Sequence, residues 1–453
     1  MASRATVGSK TMIPPTGSRK SSAYPWIVFA LTFALLLSDY MSRQVLNAVF
    51  PLLKSEWALS DSRLASLSSV VALTVGLLTL PLSLVADRWG RVRSLVLMAV
   101  LWSMATLLCA VATGFHQMLG ARLLVGVGEA AYGSVGIAVV LSVFAPRVHA
   151  ALSGAFMAGG SFGSVVGVAL GGLIAVHLSW RWAFAAMAVF GLVLVALFRA
   201  LVSERKLALH AVEQQQQPLA AGHPSVPNGF RAPISSLYTN PSVLCAYLGG
   251  GLQMFTAAVL LAWMPSYFNR YYDLPPDRAG AIAAVFVLLV GSGMVICGII
   301  TDRIGRADPS QKWTGAVVFC VISLVCLSAG FRLEPGMPSL VLIGCGAFFA
   351  AGSSGPTAAM VANLTHPSVR ASAMGSLTLA NSLLGLALGP FVVGILADHL
   401  GLLGALQLAP LVYLAAIAAL VLGKRLHPAG ERRLAALTES TPSASPTNHQ
   451  ERT

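Results

Sequence analysis

The stretch ADRWGRVR, at residues 86–93, recurs in shortened form as TDRIGR at residues 301–306. Each copy follows a long apolar run and has an aspartate, a glycine and arginines in the same order. A second matching pair follows in each half, PRVHAALSG at 146–154 and PSVRASAMG at 367–375. Two matches in the same order indicate that the chain is a duplicated unit.

Apolar runs fill most of the chain around these stretches. Apolar residues make up 56% of the sequence and charged residues only 10%. Because about 20 apolar residues cross a bilayer as a helix, and because these runs lack the alternation of barrel strands, each predicts a membrane-spanning helix. The predicted fold class is an all-α membrane protein with twelve transmembrane helices in two pseudo-symmetric six-helix bundles. The runs, called spans 1 to 12 below, start with the one that opens at Trp26 and continue near residues 64–86, 92–113, 117–144, 150–177, 181–202, 242–268, 279–301, 312–331, 338–363, 371–397 and 402–423.

One polar segment divides the twelve spans into two equal sets. Its glutamine run and prolines, without apolar periodicity, are typical of a linker. The predicted organisation is a tail at 1–25, a first bundle at 26–202, the linker at 203–241, a second bundle at 242–426 and a tail at 427–453.

Positive charge is distributed unevenly over the loops. Of the 29 Lys and Arg residues, 21 lie on the side of the spans that carries both termini, and six lie on the other side. The positive-inside rule therefore predicts a multi-pass protein of the cell membrane with both termini in the cytoplasm. The net charge of +13 is then explained by topology and contact with membrane lipids, and we expect no nucleic-acid partner.

Two enzyme-like motifs occur inside apolar runs. GVGEAA at 126–131 fits the dinucleotide fingerprint and GGSFG at 159–163 fits the nucleophile elbow, but both motifs require a strand, a turn and a helix. The six cysteines lie in apolar runs without metal-ligand spacing. We therefore predict that the protein is not an enzyme, and we expect a monomer with no cofactor and no metal site.

Glycines recur every four residues along span 5, and span 11 continues the pattern. Such stripes let helices approach closely. Static packing and a surface along which the two halves move are both compatible with the pattern. The glycines are Gly159, Gly163, Gly167, Gly171, Gly385 and Gly389.

Spans 1 and 4 carry charges deep inside their apolar runs. On span 1, Asp39, Arg43 and Asn47 are four residues apart and share one face, so that Asp39 and Arg43 can pair. On span 4, Arg122 and Glu129 are seven residues apart and also share a face. Charge in hydrocarbon is costly unless it meets a partner or a wet cavity, so these side chains should point inward. A structural ion-pair cluster is the alternative to a role in binding and coupling.

The repeated loops resemble the D-R-x-G-R signature of the major facilitator superfamily, and RLLVGVGE at 122–129 resembles its fourth-helix pattern. The resemblance implies a central substrate site that opens alternately to the two sides of the membrane. GVGEAAYG at 126–133 and SWRWAF at 179–184 are most similar to the spinster-type branch, whose known members move lysolipids and sphingolipids. The other candidate is the anion:cation symporter branch, which imports small carboxylates.

The spinster-type branch has an adjacent Asp-Arg pair on its first helix, and this pair falls on positions 42 and 43. Position 42 is a serine in this sequence. Arg43 and Glu129 therefore match the branch, whereas Asp39 matches only as a relocated partner one turn earlier.

In the superfamily the D-R-x-G-R loops latch the two bundles in the outward-facing state. Here Asp87 and Asp302 follow spans 2 and 8, and Gly90 and Gly305 are expected to permit a sharp turn. The arginines are expected to hold the loops at the anionic leaflet, and a purely topological anchor is the alternative to a latch. They are Arg88, Arg91, Arg303 and Arg306.

The predicted function is proton-coupled secondary transport of an organic anion or an anionic amphiphile such as a lysolipid. An ionised Glu129 would neutralise an arginine, and its protonation would free that arginine for the substrate. The alternatives are a proton symporter of small carboxylates or sugar acids and, from another class, a non-transporting receptor. Uncharged second-half residues are expected to line the substrate cavity, namely Tyr247, Gln253, Asn381 and Ser382.

Overall fold

The protein is described from a computed structural model. The structure describes residues 23–144, 148–207, 235–305, 308–366 and 369–439. Most of the predicted tail at 1–25, of the linker at 203–241 and of the tail at 427–453 lies outside these residues.

Every regular element among the described residues is a helix, which confirms the all-α fold class. In the first bundle the helices are Tyr24–Trp57 (span 1), Asp61–Trp89 (span 2), Arg91–Val111 (span 3), Phe115–Glu129 with Tyr132–Ser142 (span 4), His149–His177 (span 5) and Trp180–Leu201 (span 6). After a short helix at Ser236–Thr239, those of the second bundle are Pro241–Tyr271 (span 7), Pro276–Ile304 (span 8), Gln311–Gly330 (span 9) and Met337–Ala350 with Ser354–Asn363 (span 10). Spans 11 and 12 are formed by Arg370–Ala380, a π-helical segment at Asn381–Ala387, Leu388–Leu408, a 3₁₀ turn at Ala409–Leu411 and Val412–Glu439.

Eleven helical stretches among the described residues are long and apolar enough to cross a membrane, and the last, Ser372–Ala436, is 65 residues long. At 1.5 Å per residue it would measure about 100 Å, far more than the ~30 Å of one bilayer core. Gly401 interrupts it with φ 74° and ψ 159°, so it makes two crossings. The described residues therefore contain twelve helical segments long and apolar enough to cross a membrane. We call the side that carries both ends of the described chain the terminus face and the opposite side the far face.

Spans 4 and 10 are broken at matching places. The first halves of the two spans have 15 and 14 residues. The helical path is interrupted at Ala131, with φ −112° and ψ 2°, and at Ala351, with φ −109° and ψ 11°. Because the breaks match, they belong to the duplicated architecture, and the first of them leaves Glu129 as the last residue of a half-helix.

The glycine stripes pack helices inside each bundle. A Cβ atom at Gly167 would lie 2.7 Å from Cα of Met41 on span 1. A Cβ atom at Gly389 would lie 2.6 Å from the carbonyl oxygen of Phe255 on span 7. Both contacts join helices of the same bundle, which favours static packing over a surface along which the bundles move.

The two bundles meet along two seams. Span 5 crosses span 8 where a Cβ atom at Gly172 would lie 2.6 Å from the carbonyl oxygen of Pro276. Span 2 crosses span 11 where a Cβ atom at Gly76 would lie 2.7 Å from Cβ of Ser382. Such close approaches leave room only for glycine at these crossings.

The outer surface of the bundles is apolar. Along span 2, Leu77, Leu80 and Leu84 are 56%, 62% and 58% exposed, and their spacing places them in one stripe. Large side chains exposed in this way need an apolar environment, which a bilayer supplies.

The last helix extends to Glu439, past residue 427, where we predicted a polar tail to begin. His427 is 6% exposed, and its Nδ1 accepts a hydrogen bond from Nε1 of Trp313 at 3.4 Å. Gly430 packs against Asn240, which caps span 7. These contacts hold the start of the predicted tail against the second bundle, and the helix continues into it.

Candidate functional site

Span 1 places its polar residues on successive turns near the centre of the molecule. Asp39 and Asn47 are 3% and 5% exposed. The Arg43 side chain retains 18% exposure, and its guanidinium lies over the ring of Tyr40, 5.2 Å from the ring centroid. Arg43 is therefore the most accessible of these groups.

Arg43 forms an ion pair with Glu129 of span 4. Its Nε and Nη2 both donate to Oε2 of Glu129, at 3.0 and 2.7 Å. The other carboxylate oxygen, Oε1, is buried without a hydrogen-bond partner. Nη1 of Arg43 makes no hydrogen bond within the described residues. The pair thus joins spans 1 and 4 and leaves one donor and one acceptor unused.

The local structure of span 4 explains the position of Glu129. At the end of a half-helix the helix dipole disfavours a carboxylate, so Glu129 depends on Arg43 to stabilise its charge. A Cβ atom at Gly128 would lie 2.6 Å from the backbone nitrogen of Trp102 on span 3. The glycines of the GVGE motif therefore bring span 4 close to its neighbours.

Asp39 does not form the predicted pair with Arg43. Its Oδ1 is buried without a hydrogen-bond partner, and its carboxyl group lies close enough to interact with the carboxyl group of Glu129 and the guanidinium of Arg43. Glu129 accepts the hydrogen bonds from both Nε and Nη2 of Arg43. The carboxyl groups of Asp39 and Glu129 therefore both lie near the guanidinium of Arg43, but only Glu129 is bonded to it. Each acid is only 3% exposed.

Arg122, predicted to share a face of span 4 with Glu129, is fully buried and forms no ion pair with Glu129. Its Nε donates to the carbonyl oxygen of Leu67 at 3.3 Å. Its Nη1 and Nη2 donate to the carbonyl oxygens of Ser42 and Arg43 at 3.1 and 3.3 Å. These carbonyls occupy the guanidinium, so Arg122 fastens span 4 to spans 1 and 2.

Asn47 joins the two bundles in mid-membrane. Its Nδ2 donates to Oε1 of Gln44 at 2.7 Å and to the carbonyl oxygen of Leu261, on span 7, at 3.4 Å. Its Oδ1 accepts from the hydroxyl of Ser68 at 2.7 Å. Gln44 and Ser68 were not predicted as site residues, although each is a polar residue inside an apolar run.

The four predicted cavity residues of the second half differ in their contacts. Gln253 is fully buried, and its amide is hydrogen-bonded to Ser353 and to a backbone carbonyl of span 10. The Tyr247 hydroxyl and Oδ1 of Asn381 are buried without partners. Ser382 lies at the seam with span 2. Tyr247 and Asn381 therefore have polar atoms free for a substrate, whereas Gln253 is satisfied within its bundle.

The two D-R-x-G-R loops turn differently. Gly90 has a φ of 102°, which favours glycine. Gly305 has a φ of −76°, which any residue adopts, and its N–H continues the helix by donating to Thr301 at 2.8 Å. The expected glycine-dependent turn is therefore present only in the first loop. The side chain of Asp87 and all of Arg306 lie outside the described residues.

The charged residues of these loops are mostly exposed. Asp302 forms an ion pair with Lys312 of the next helix at 2.9 Å. Arg91 begins span 3. Arg88 and Arg303 are exposed and make no hydrogen bond or ion pair within the described residues. None of these contacts joins the two bundles, so the latch role stays a prediction.

A polar network joins the bundles at the far face. Asp61, at the start of span 2, accepts from Nζ of Lys54 at 2.7 Å and from Nη2 and Nη1 of Arg270, on span 7, at 2.6 and 2.9 Å. Asp398, on span 11, accepts from the backbone N–H groups of Asp61 and Ser62 at 2.6 and 3.1 Å. Sequence analysis missed this network because the partners lie far apart in the chain.

The Major Facilitator Superfamily model matches residues 32–383. The chain belongs to the Major Facilitator Superfamily. It is therefore a multi-pass membrane transporter and not an enzyme, as the sequence predicted, and this membership sets aside the receptor alternative. Within the described part of the chain, no group of three or more His, Cys, Asp or Glu residues could hold a metal ion.

Relatives of this transporter include a probable sugar-acid transporter and a spinster homologue. It is 26% identical over 401 residues to a probable L-galactonate transporter of Escherichia coli (strain K12), with 85% of this chain and 87% of the relative covered. It is 23% identical over 397 residues to protein spinster homolog 1 of Xenopus laevis, with 83% and 73% covered. A solved bacterial homologue of the human lysosomal transporter spinster, inward-facing and unoccupied, matches with a TM-score of 0.75 and 18% identity over 92% of this chain and 99% of that one.

Proposed function

We propose that this transporter couples the uptake of a proton to the transport of an organic anion by alternating access. The proposal rests mainly on the Arg43–Glu129 ion pair, beside which Glu129 and Asp39 each keep a buried oxygen without a partner. A buried ion pair is weak evidence for a role in stability alone.

The charges of the site favour a bound proton. With Asp39 and Glu129 both ionised, Arg43 pairs directly with only one of the two buried carboxylates, because the donors of Arg122 are bonded to backbone carbonyls and to neither acid. A buried carboxylate without a direct partner costs several kcal/mol. A proton on either carboxyl removes this cost and supplies a donor for an unpartnered oxygen. Because the two groups interact, the proton belongs to the pair rather than to one residue.

Protonation of the pair also prepares Arg43 for a substrate. When Glu129 is neutral, it no longer competes with an anion for the guanidinium, whose Nη1 is already unused. An anion and a proton then favour the same occupied state, and their binding is thermodynamically linked. This linkage is what allows a proton gradient to drive accumulation.

A sugar acid is the substrate class that we favour. Gln44 and Asn47 follow Arg43 on span 1 and are hydrogen-bonded to each other, and Asn47 accepts from Ser68. A hydroxylated substrate would replace hydrogen bonds of this polar cluster. The names of relatives support this choice, since they include the probable L-galactonate transporter and a D-galactonate transporter of Escherichia coli O6:H1. A lysolipid-like amphiphile is the second candidate, supported by the similarity to spinster homolog 1.

The transporter would lie in the cell membrane as a monomer. Both of its termini would face the cytoplasm. The uneven loop charge supports this orientation. The far-face network of Lys54, Asp61, Arg270 and Asp398 would then be the extracellular gate, closed in the described state.

Uptake into proteoliposomes tests the proposal. We expect galactonate to accumulate against its gradient when the outside is made more acidic than the lumen, and we expect a protonophore to abolish accumulation. Competition by other hexonates but not by lysophosphatidylcholine identifies the sugar-acid class. Uptake that is indifferent to the pH gradient, with an active carrier shown by exchange, would contradict proton coupling.

A further inference from the structure

A cavity of about 470 Å³ lies between the terminus-face ends of spans 3 and 6. A neighbouring cavity of about 520 Å³ shares Arg93 and Leu97 with it and adds Arg88 and Trp89. Together they form a groove on the lipid-facing side of the first bundle, which we call the arginine groove. The arginines of the first cavity are Arg93, Arg199 and Arg205.

The arginine groove has an excess of positive charge. Its arginines are exposed, and within the described part of the chain none makes a hydrogen bond or an ion pair. The acid in the groove is Glu204, whose Oε1 accepts from the backbone N–H of Val92 at 2.7 Å. That carboxylate is stabilised by the N-terminus of span 3, so the arginines remain available to an anion.

Polarity changes with depth along the groove. Span 3 runs from the terminus face into the membrane, and Arg93, Leu97 and Val100 share one side of it. At 1.5 Å per residue, Val100 lies about 10 Å deeper than Arg93. Trp89, which is 63% exposed, lies at the shallow end, where aromatic side chains meet lipid head groups.

We propose that the arginine groove binds one anionic phospholipid. The phosphodiester would lie between Arg93 and Arg199, and an acyl chain would follow Val96, Leu97 and Val100 into the membrane. A free phosphate would use the arginines but not the apolar wall, and a zwitterionic lipid would use the wall with less benefit from the charge. The groove is separate from the Arg43–Glu129 pair, so the proposal does not depend on the transported substrate.

Lipid-dependent thermal unfolding of the purified transporter in detergent tests this site. Dioleoyl phosphatidylglycerol should raise the unfolding midpoint more than dioleoyl phosphatidylcholine, and inorganic phosphate should not. The variant Arg93→Gln/Arg199→Gln should need a roughly thirtyfold higher concentration of phosphatidylglycerol for the same shift. The control, Arg370→Gln/Arg425→Gln, removes two exposed arginines from the terminus face of the second bundle and should respond like the wild type.

Two further measurements keep the test decisive. Native mass spectrometry should show one retained phosphatidylglycerol on the wild type and on the control but none on the groove variant. If Arg93→Gln/Arg199→Gln does not fold, Arg205→Gln should show a smaller loss of the stabilisation by phosphatidylglycerol. Equal losses in both double variants would show general surface attraction, and a shift with inorganic phosphate would show a free-anion site. Either result, or no preference for phosphatidylglycerol, overturns the proposal.

Discussion

The two bundles share an architecture but not a chemistry. Spans 4 and 10 break after half-helices of nearly equal length. Yet span 4 carries Arg122 and Glu129, whereas span 10 has no charged residue. Span 1 has Asp39 and Arg43 near its middle, while the one charge of span 7 is Arg270 near its far-face end.

This difference shows what the breaks and the charges each contribute. Because span 10 is broken without any charge, the break belongs to the fold and was not needed to accommodate Glu129. In the first bundle the same break places an acid where a half-helix ends and the dipole disfavours its charge. The comparison predicts that coupling is confined to the first bundle and that the second bundle contributes neutral contacts.

The largest effect is expected from Arg43→Ala. Removing the only guanidinium that is both accessible and paired with Glu129 should weaken anion binding by roughly a hundredfold. The measurement is substrate binding by isothermal titration calorimetry in detergent. Arg43→Lys keeps the charge but loses the two-donor geometry, so its affinity for substrate should lie between those of Arg43→Ala and the wild type. Undiminished binding by a folded Arg43→Ala protein would place the anion site elsewhere.

A smaller effect is expected from Asp39→Asn. The variant removes one of the two carboxyl groups that share the proton, so accumulation driven by a pH gradient should fall by roughly tenfold while exchange survives. Adding Ser42→Asp should restore part of the loss, because it places an acid directly before Arg43. Ser38→Ala, at a neighbouring buried position, is the control. Normal accumulation by Asp39→Asn would leave the proton on Glu129 alone.

Substitutions at the two faces of the molecule are expected to shift the balance between its two open conformations in opposite directions. Arg270→Gln removes two charge-assisted hydrogen bonds from the far-face network and should increase opening there by roughly tenfold. Asp87→Asn, at the proposed latch, should shift the balance in the other direction. A single cysteine placed beside the far-face network, in a background without native cysteines, reports opening by its labelling rate. If Arg270→Gln and Asp87→Asn changed the labelling rate in the same direction, the assignment of a far-face gate and a terminus-face latch would be contradicted.

The smallest effects are expected in the second bundle. Asn381→Ala should change which hexonates compete, because Oδ1 of Asn381 is buried without a partner. Gln253→Ala should lower the thermal unfolding midpoint instead, because the amide is already bonded to span 10. Competition profiles and unfolding of both variants separate the two roles. A changed competition profile in Gln253→Ala alone would reverse the assignment.

The sequence was sufficient for the fold because the decisive signals are local. Each span is a continuous apolar run, and the repeated loops reveal the duplication without any knowledge of contacts. The burial of His427 was not predictable in this way, because it depends on Trp313 of a different span.

The charged residues of spans 1 and 4 could be identified from the sequence, but the contacts that each of them makes could not. Spacing along one helix suggested that Asp39 pairs with Arg43, but the partner of Arg43 is Glu129, 86 residues away. Spacing also grouped Arg122 with Glu129, but the guanidinium of Arg122 donates its hydrogen bonds to backbone carbonyls of spans 1 and 2. Contacts between helices depend on how the helices are rotated in the bundle, and a single sequence does not encode that rotation locally.

The coupling role of Glu129 is tested most directly by transport through Glu129→Gln in proteoliposomes. The glutamine keeps the shape of the side chain but fixes it in a neutral state, so position 129 can no longer take up and release the shared proton. Exchange of galactonate between equal pools should continue at a measurable rate, while accumulation driven by an imposed pH gradient should disappear. A Glu129→Gln carrier that still concentrates galactonate in response to the gradient would contradict the account.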